Sequence, residues 1–220
     1  MKGISLGGRR PRRQEIIERS PKANKVIKRL VIGDDIRKWK VAEHDRWLIY
    51  LPHGVDIRGL GSVIDHLRPY RRELQRRATE QEWYELQQPQ EASVPAFENP
   101  KIVYPEIAKE SRFAYDLGGA FTNNKAFVIA TDDLYLLGVL NSDPAWQYIK
   151  SVCAVLGDEN KGGRAMLQWV NFSRLPIPEA KSTDRADIAD RVQKCLDAKG
   201  VGCEKWEAEI NERVAALYGL

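Results

Sequence analysis

Apolar stretches in this sequence are short, and each is cut by proline, glycine or a cluster of Asn, Asp and Ser. Trp47-Leu48-Ile49-Tyr50-Leu51 stops at Pro52, and the apolar run after Asp133 stops at Asn141-Ser142-Asp143-Pro144. No run approaches the ~20 residues that cross a bilayer, and no apolar signal core follows the basic N-terminus. The chain is long enough to bury roughly 70% of its unfolded surface on folding. Its 220 residues, 43% hydrophobic and 30% charged, supply enough apolar surface for one substantial domain, or for a domain plus an appendage. These features place the protein in the cytoplasm with no membrane partner.

The local patterns lead to a fold class. A helix is read over residues 20–31, with Ser20 as N-cap and Pro21 in the first turn. It would set Lys22, Lys25 and Arg29 on one face and Ala23, Val26, Ile27 and Leu30 on the other. Trp47 to Leu51 reads as a buried strand. Residues 60–81 read as helical through Val63, Ile64, Leu67, Tyr70 and Leu74, with Pro69 ending or kinking the helix near Leu67. After a proline-rich loop at 87–100, three strand-like segments at 101–107, 112–117 and 125–131 suggest a meander. Asp132 or Asp133 caps a helix to about Leu140, and Asp143 beside Pro144 caps the next. Ala165 to Val170 is a further strand candidate. Two amphipathic helices close the chain, about Ser182 to Ala198 and Glu204 to Tyr218, joined at Gly200 and Gly202. Their stripes are Ile188, Val192, Cys195 and Leu196, and Trp206, Ile210, Val214 and Leu217. The fold class is α+β: a small mixed or mainly antiparallel sheet covered by helices, followed by a C-terminal helical hairpin. Residues 1–19, with little apolar content, form a basic flexible arm, residues 20–180 the body, and 181–220 the hairpin.

Charge is unevenly spread. Residues 1–77 carry 20 Lys and Arg against 9 Asp and Glu, and residues 78–220 carry 15 against 22, within a net charge of +4. Arginine is dense at Arg9, Arg10, Arg12 and Arg13 and again at Arg68, Arg71, Arg72, Arg76 and Arg77. Such a surface suits a polyanion, although a charge run also serves simply as a solvated face. Cys153, Cys195 and Cys203 form no C-x-x-C pair and lie far in sequence from His44, His53 and His66, so they read as buried apolar residues rather than zinc ligands. The phosphate-binding, serine-hydrolase, zinc-protease and dinucleotide motifs are all missing. Asp143, Glu159 and Lys161 offer the one arrangement that a metal-dependent nuclease could use.

Residues 99–178 carry more specific signals: N-P-K-I-V-Y-P-E-I-A, F-T-N-N-K-A-F-V-I-A, D-L-Y-L-L-G-V-L-N-S, then G-G-R and L-P-I-P. Together with G-D-D-I-R-K-W, R-W-L-I-Y-L-P-H-G and I-D-H-L-R-P-Y-R upstream and the closing E-A-E-I-N-E-R-V-A-A-L-Y-G-L, this order resembles the C-terminal specificity domain of TaqI-like adenine-specific DNA methyltransferases, which also occurs in type IIG restriction-modification enzymes. The resemblance covers roughly residues 24–220. It implies a target-recognition domain at 20–180 that holds double-stranded DNA and delivers an adenine to a catalytic partner. Such a partner, an adenine methyltransferase or restriction-modification domain or subunit, would bind S-adenosylmethionine. This chain has neither its glycine-rich cofactor site nor its Asn/Asp-Pro-Pro-Tyr/Phe motif, since Asn99-Pro100-Lys101 and Asp143-Pro144-Ala145 lack the second proline and the aromatic. No cofactor and no catalytic residue are therefore expected here.

The resemblance implies DNA contacts from Lys22, Lys25, Arg29, Arg37 and Lys38, from Asn123, Asn124 and Lys125, and from Lys161 and Arg164 around Gly162-Gly163. Lysine and arginine on phosphates give sequence-blind affinity, while Arg, Lys and Asn at base edges give choice. Asn123-Asn124 also suits a turn with positive backbone angles, and Trp39, Trp47, Tyr104, Phe127, Trp146 and Trp169 read as core rather than base-stacking groups. The closing hairpin would act as a spacer or docking element. Two other functions compete: the nuclease, and a protein-interaction module docking through the closing helices.

Overall fold

Val26, Ile27 and Val31 are β-branched, and the segment that carries them leaves the helical conformation after a single turn. In the computed structural model, which describes residues 5–7, 10–158 and 162–220, with side chains from residue 13 on, a short helix at Ala23–Val26 runs into a strand at Ile27–Val31. This differs from the helix expected over 20–31. The strand lies between two partners distant in sequence, Arg46–Ile49 antiparallel and Ala120–Thr122 parallel. Their ladder hydrogen bonds outweigh the helical spacing of the lysines. Ser5–Gly7 pairs antiparallel with Arg46–Ile49 and completes a four-stranded mixed sheet.

That sheet belongs to the first of two compact units, formed by the described parts of Met1–Val31, Glu43–Asn99 and Gly118–Asn124. Its core gathers Ile27, Ile49, Leu51, Leu60, Val63 and Leu67. Ile16, from a helix at Arg10–Arg19, joins them and is buried. The second half of the stretch expected to be a loose arm is thus helical, anchored by an isoleucine that a sparse apolar pattern concealed; residues 1–4 and 8–9 lie outside the described residues. The helix Gly61–Leu67 ends where Pro69 requires, followed by a 3₁₀ turn at Arg68–Tyr70 and a further helical turn at Arg71–Leu74. Phe121 stacks on Phe97 at 4.8 Å between ring centres and meets Tyr50 at 5.1 Å. Gly118 enters this strand with φ 128°, and a Cβ there would lie 2.5 Å from the Glu98 carbonyl oxygen.

The second unit comprises Ile32–Ala42, Pro100–Leu117 and Lys125–Leu220. Lys101–Pro105 is its central strand, buried along its whole length, with Ala126–Ile129 and Ala114–Asp116 antiparallel on either side. A meander would have put 114–116 in the middle. The order differs because Ala120–Thr122 leaves to pair with the first unit's sheet, and all three of its residues are buried there. Ile107–Ala108, Arg164–Met166 and Val155–Leu156 make a second small sheet, and Ile36–Arg37 with Lys40–Val41 a two-stranded hairpin. The fold is α+β with small mixed and antiparallel sheets, the class expected from the pattern of strand and helix candidates.

The helices of this unit follow their caps. Asp133 accepts from the backbone N–H groups of Tyr135 and Leu136 and starts Leu134–Leu140. The next helix, Asp143–Val152, is capped by Ser142 rather than Asp143, whose carboxylate instead accepts from Asn211 Nδ2 at 2.8 Å. Ser182–Asp197 and Glu204–Tyr218 form the closing hairpin. Ile188, Val192, Cys195, Ile210 and Val214 are all spent in the core of the unit, so the apolar stripes are covered within it. Gly138 lets the helices meet: a Cβ there would lie 2.7 Å from Ile188 Cγ2 and 3.0 Å from Val192 Cγ2. Trp39 seats the tip of the two-stranded hairpin against the closing helices. It is 2% exposed with φ 69°, and its indole N–H donates to Glu207.

Candidate nucleic-acid interface

Because the basic segment is a strand and not a helix, its cations do not share one face. In a strand successive side chains point to opposite sides. Lys28 goes one way, its ammonium 2.8 Å from Glu98 and 5.4 Å from the Phe121 ring centre. Arg29 goes the other, half-buried and opposite Trp47 and Ala120. Lys22 is exposed and lies along residues 58–59, its Nζ 3.4 Å from the Arg58 carbonyl. Lys25 is exposed on the short helix with no carboxylate partner among the described residues. Asn123 is half-buried and Asn124 exposed, directly after the strand Ala120–Thr122. Neither has a positive φ, so the asparagines are not there to supply a left-handed turn. Lys22, Lys25, Arg29, Asn123 and Asn124 all belong to the first unit.

The other expected contacts belong to the second unit. Arg37 folds back on its own loop, Nη1 donating to the carbonyls of Asp34 at 2.7 Å and Ile36 at 2.9 Å. Lys38 is committed to the closing helix through an ion pair with Glu207 at 3.1 Å. Lys125 is exposed and pairs with Glu106 at 2.5 Å. Arg164 opens the strand beside Val155–Leu156, exposed and without a carboxylate partner among the described residues. Lys161 and Glu159 lie outside the described residues. Two kinds of cation result: Lys25 and Arg164 stand open, whereas Arg37, Lys38 and Lys125 are tied to the protein's own oxygens.

Aromatic side chains divide similarly. Trp39, Tyr104 and Trp146 are buried, and burial pushes the Tyr104 hydroxyl up to about 12. Trp47 and Phe127 are half-buried. Trp169, expected in the core, is 56% exposed beside Val170 at 74%, because its helical turn, Trp169–Phe172, turns Phe172 inward instead. Arg68, Arg71, Arg72 and Arg76, read in the sequence only as dense charge, are exposed on the first unit. That unit carries 17 Lys and Arg against 12 Asp and Glu, and the second 18 against 19. Among the described residues no three of His, Cys, Asp and Glu gather as they would around a metal ion, and no helix is long and apolar enough to cross a membrane.

Fold and surface define an α+β module with open basic side chains, closed by a helical hairpin. The sequence pattern of the TaqI-like C-terminal specificity domain matches residues 28–177, and the chain belongs to this family. DNA methyltransferase A of Bacillus subtilis (strain 168) is 29% identical over 105 residues, covering 46% of this chain and 12% of that protein. Among solved structures, the type IIL restriction-modification enzyme MmeI, determined in complex with DNA, superposes with a TM-score of 0.68 over 96% of this chain and 30% of its own, at 14% identity. The MmeI likeness is one of fold. The chain spans only a part of each of these two proteins.

Proposed function

We propose that this chain recognises a target sequence in duplex DNA and positions it for the catalytic domain of an adenine-specific methyltransferase or a type IIG-like restriction-modification enzyme. Membership of the specificity-domain family over residues 28–177 carries the reading. It is supported by the excess positive charge of the first unit and by Lys25 and Arg164, which stand open to solvent. A phosphate contact would engage such side chains without breaking an existing ion pair, and a base edge would receive them bidentately. The adenine and the S-adenosylmethionine belong, in this reading, to the catalytic partner, and the system works in the cytoplasm. Asp143 is bonded to Asn211, which speaks against its holding the cation of a nuclease.

The test is titration of labelled duplexes by the purified chain, followed by anisotropy, with a preferred and a scrambled site. Arg164→Ala is expected to weaken the preferred duplex by about 1–3 kcal/mol while leaving the scrambled one nearly unchanged, as loss of a base contact does. Equal affinity of the unsubstituted chain for every duplex, or none for any, would overturn the reading.

A further inference from the structure

The first unit carries a second group of cations outside the expected contacts. The helix Gly61–Leu67, the 3₁₀ turn Arg68–Tyr70 and the turn Arg71–Leu74 form one nearly continuous rod, prolonged by the Arg76 N–H donating to the Glu73 carbonyl at 3.1 Å. One side of the rod packs inward through Val63, Leu67 and Leu74. Arg68, Arg71, Arg72 and Arg76 along the same stretch are exposed.

These arginines differ in what already holds them. Asp65 pairs with both Arg19 and Arg68 at 3.1 Å, so Arg68 is partly neutralised. Arg77 is half-buried, Nε donating to the Leu74 carbonyl at 2.8 Å and Nη2 to the Trp83 carbonyl at 2.9 Å. It fixes Trp83 beside the rod. Arg71 in turn lies over the Trp83 ring, 5.2 Å from its centre. Stacking restricts the guanidinium yet leaves its N–H edge free to donate. Arg72 and Arg76 meet no carboxylate among the described residues, Arg72 within the helical turn Arg71–Leu74 and Arg76 just past it.

We propose that Arg71, Arg72 and Arg76 are a phosphate anchor: they grip the phosphodiester backbone of duplex DNA and set affinity without contributing to sequence choice. The proposal rests on the DNA-recognition reading above and adds to it a division of labour. A guanidinium fork matches a phosphate bidentately and reads nothing about the base behind it. Arg71, resting over Trp83, is already partly oriented, and Arg72 and Arg76 have no ion pair to give up.

The experiment measures affinity of the full chain for the preferred and the scrambled duplex from about 0.05 to 0.4 M salt, comparing the unsubstituted protein with Arg72→Ala/Arg76→Ala. Each phosphate contact contributes about 0.9 to the slope of log affinity against log salt, so the double variant should lose about 1.8. With convergence near 1 M, that is about 60-fold at 0.1 M, by the same factor for both duplexes. Arg58→Ala is the charge control, because Arg58 is held by Asp56 at 2.8 Å, and it should leave the slope unchanged. Thermal melting confirms that the variants fold. An unaltered slope in the double variant, while the unsubstituted chain still prefers its duplex, overturns the anchor alone. A changed ratio between the two duplexes overturns it as sequence-blind, and failure of the unsubstituted chain to bind either duplex removes the recognition reading and the anchor together.

Discussion

Lys101 and Asp116 face each other across the central strand pair of the second unit, Nζ 2.6 Å from Oδ2, with side chains 0% and 4% exposed. Two charges so deep in a protein cost several kcal/mol each to desolvate, and close pairing offsets that cost only while both partners remain. Asp116→Leu removes the carboxylate that pairs with a buried ammonium and should cost about 3–5 kcal/mol. At about 2–4 °C per kcal/mol for a chain of this length, the melting temperature should fall by about 6–20 °C. Lys101→Met alone should cost a similar amount. The two together replace the pair by apolar side chains of comparable bulk and should recover most of the loss, leaving the double variant within about 1–2 kcal/mol of the original. Differential scanning calorimetry of the four proteins closes the cycle. A single variant that melts within a degree or two of the original, or a double variant whose loss is the sum of the singles, would refute the argument that desolvated charge dominates here.

Gly138→Ala drives a methyl group into Ile188 and Val192, both fully buried, and should destabilise the second unit by about 1–3 kcal/mol in denaturant titration. Asp187 is held below its ordinary value of 3.8 by hydrogen bonds from Arg213 and Arg191. A lowered folded-state pKa gives stability that is complete above 3.8 and lost as the pH falls through the folded value, so Asp187→Asn should be less stable than the original at pH 6 and converge with it in acid. Burial, with help from neighbouring Cys203 and Glu207, pushes the Cys195 thiol up to about 12, and burial also raises Cys153 and Cys203. Iodoacetamide at pH 8 should therefore leave all three thiols unmodified over times that alkylate them fully in urea.

The closing hairpin was legible residue by residue, because its helices are long enough for a 3.6-residue stripe to repeat and glycines mark the bend. The expected ends fall within a residue of the observed Ser182–Asp197 and Glu204–Tyr218. The family motifs made the type of domain legible too. What escaped depends on contacts far apart in sequence. Ile27–Val31 carries a helical spacing of lysines, yet its neighbours are residues 46–49 and 120–122, and only the fold supplies them. The strand at Ala120–Thr122, which falls between two strands of the expected meander, has the same origin. At the candidate interface the cations themselves could be named from the family resemblance, but not their engagement. Nothing local says that Lys38 is spent on Glu207, that Arg77 is fixed by the Trp83 carbonyl, or that Arg72 and Arg76 are left open. Ser142 and Asp143 are equally good caps by composition, and only the fold shows the serine capping while Asp143 bonds to Asn211, 68 positions away.

Selection of bound duplexes from a randomised pool by the purified chain, with the affinity of the winners followed over salt, asks whether the chain reads a DNA sequence. Enrichment of one short motif containing an adenine is expected, bound with an affinity that falls steeply as salt rises. Recovery of all sequences in equal proportion, or of none, would contradict it.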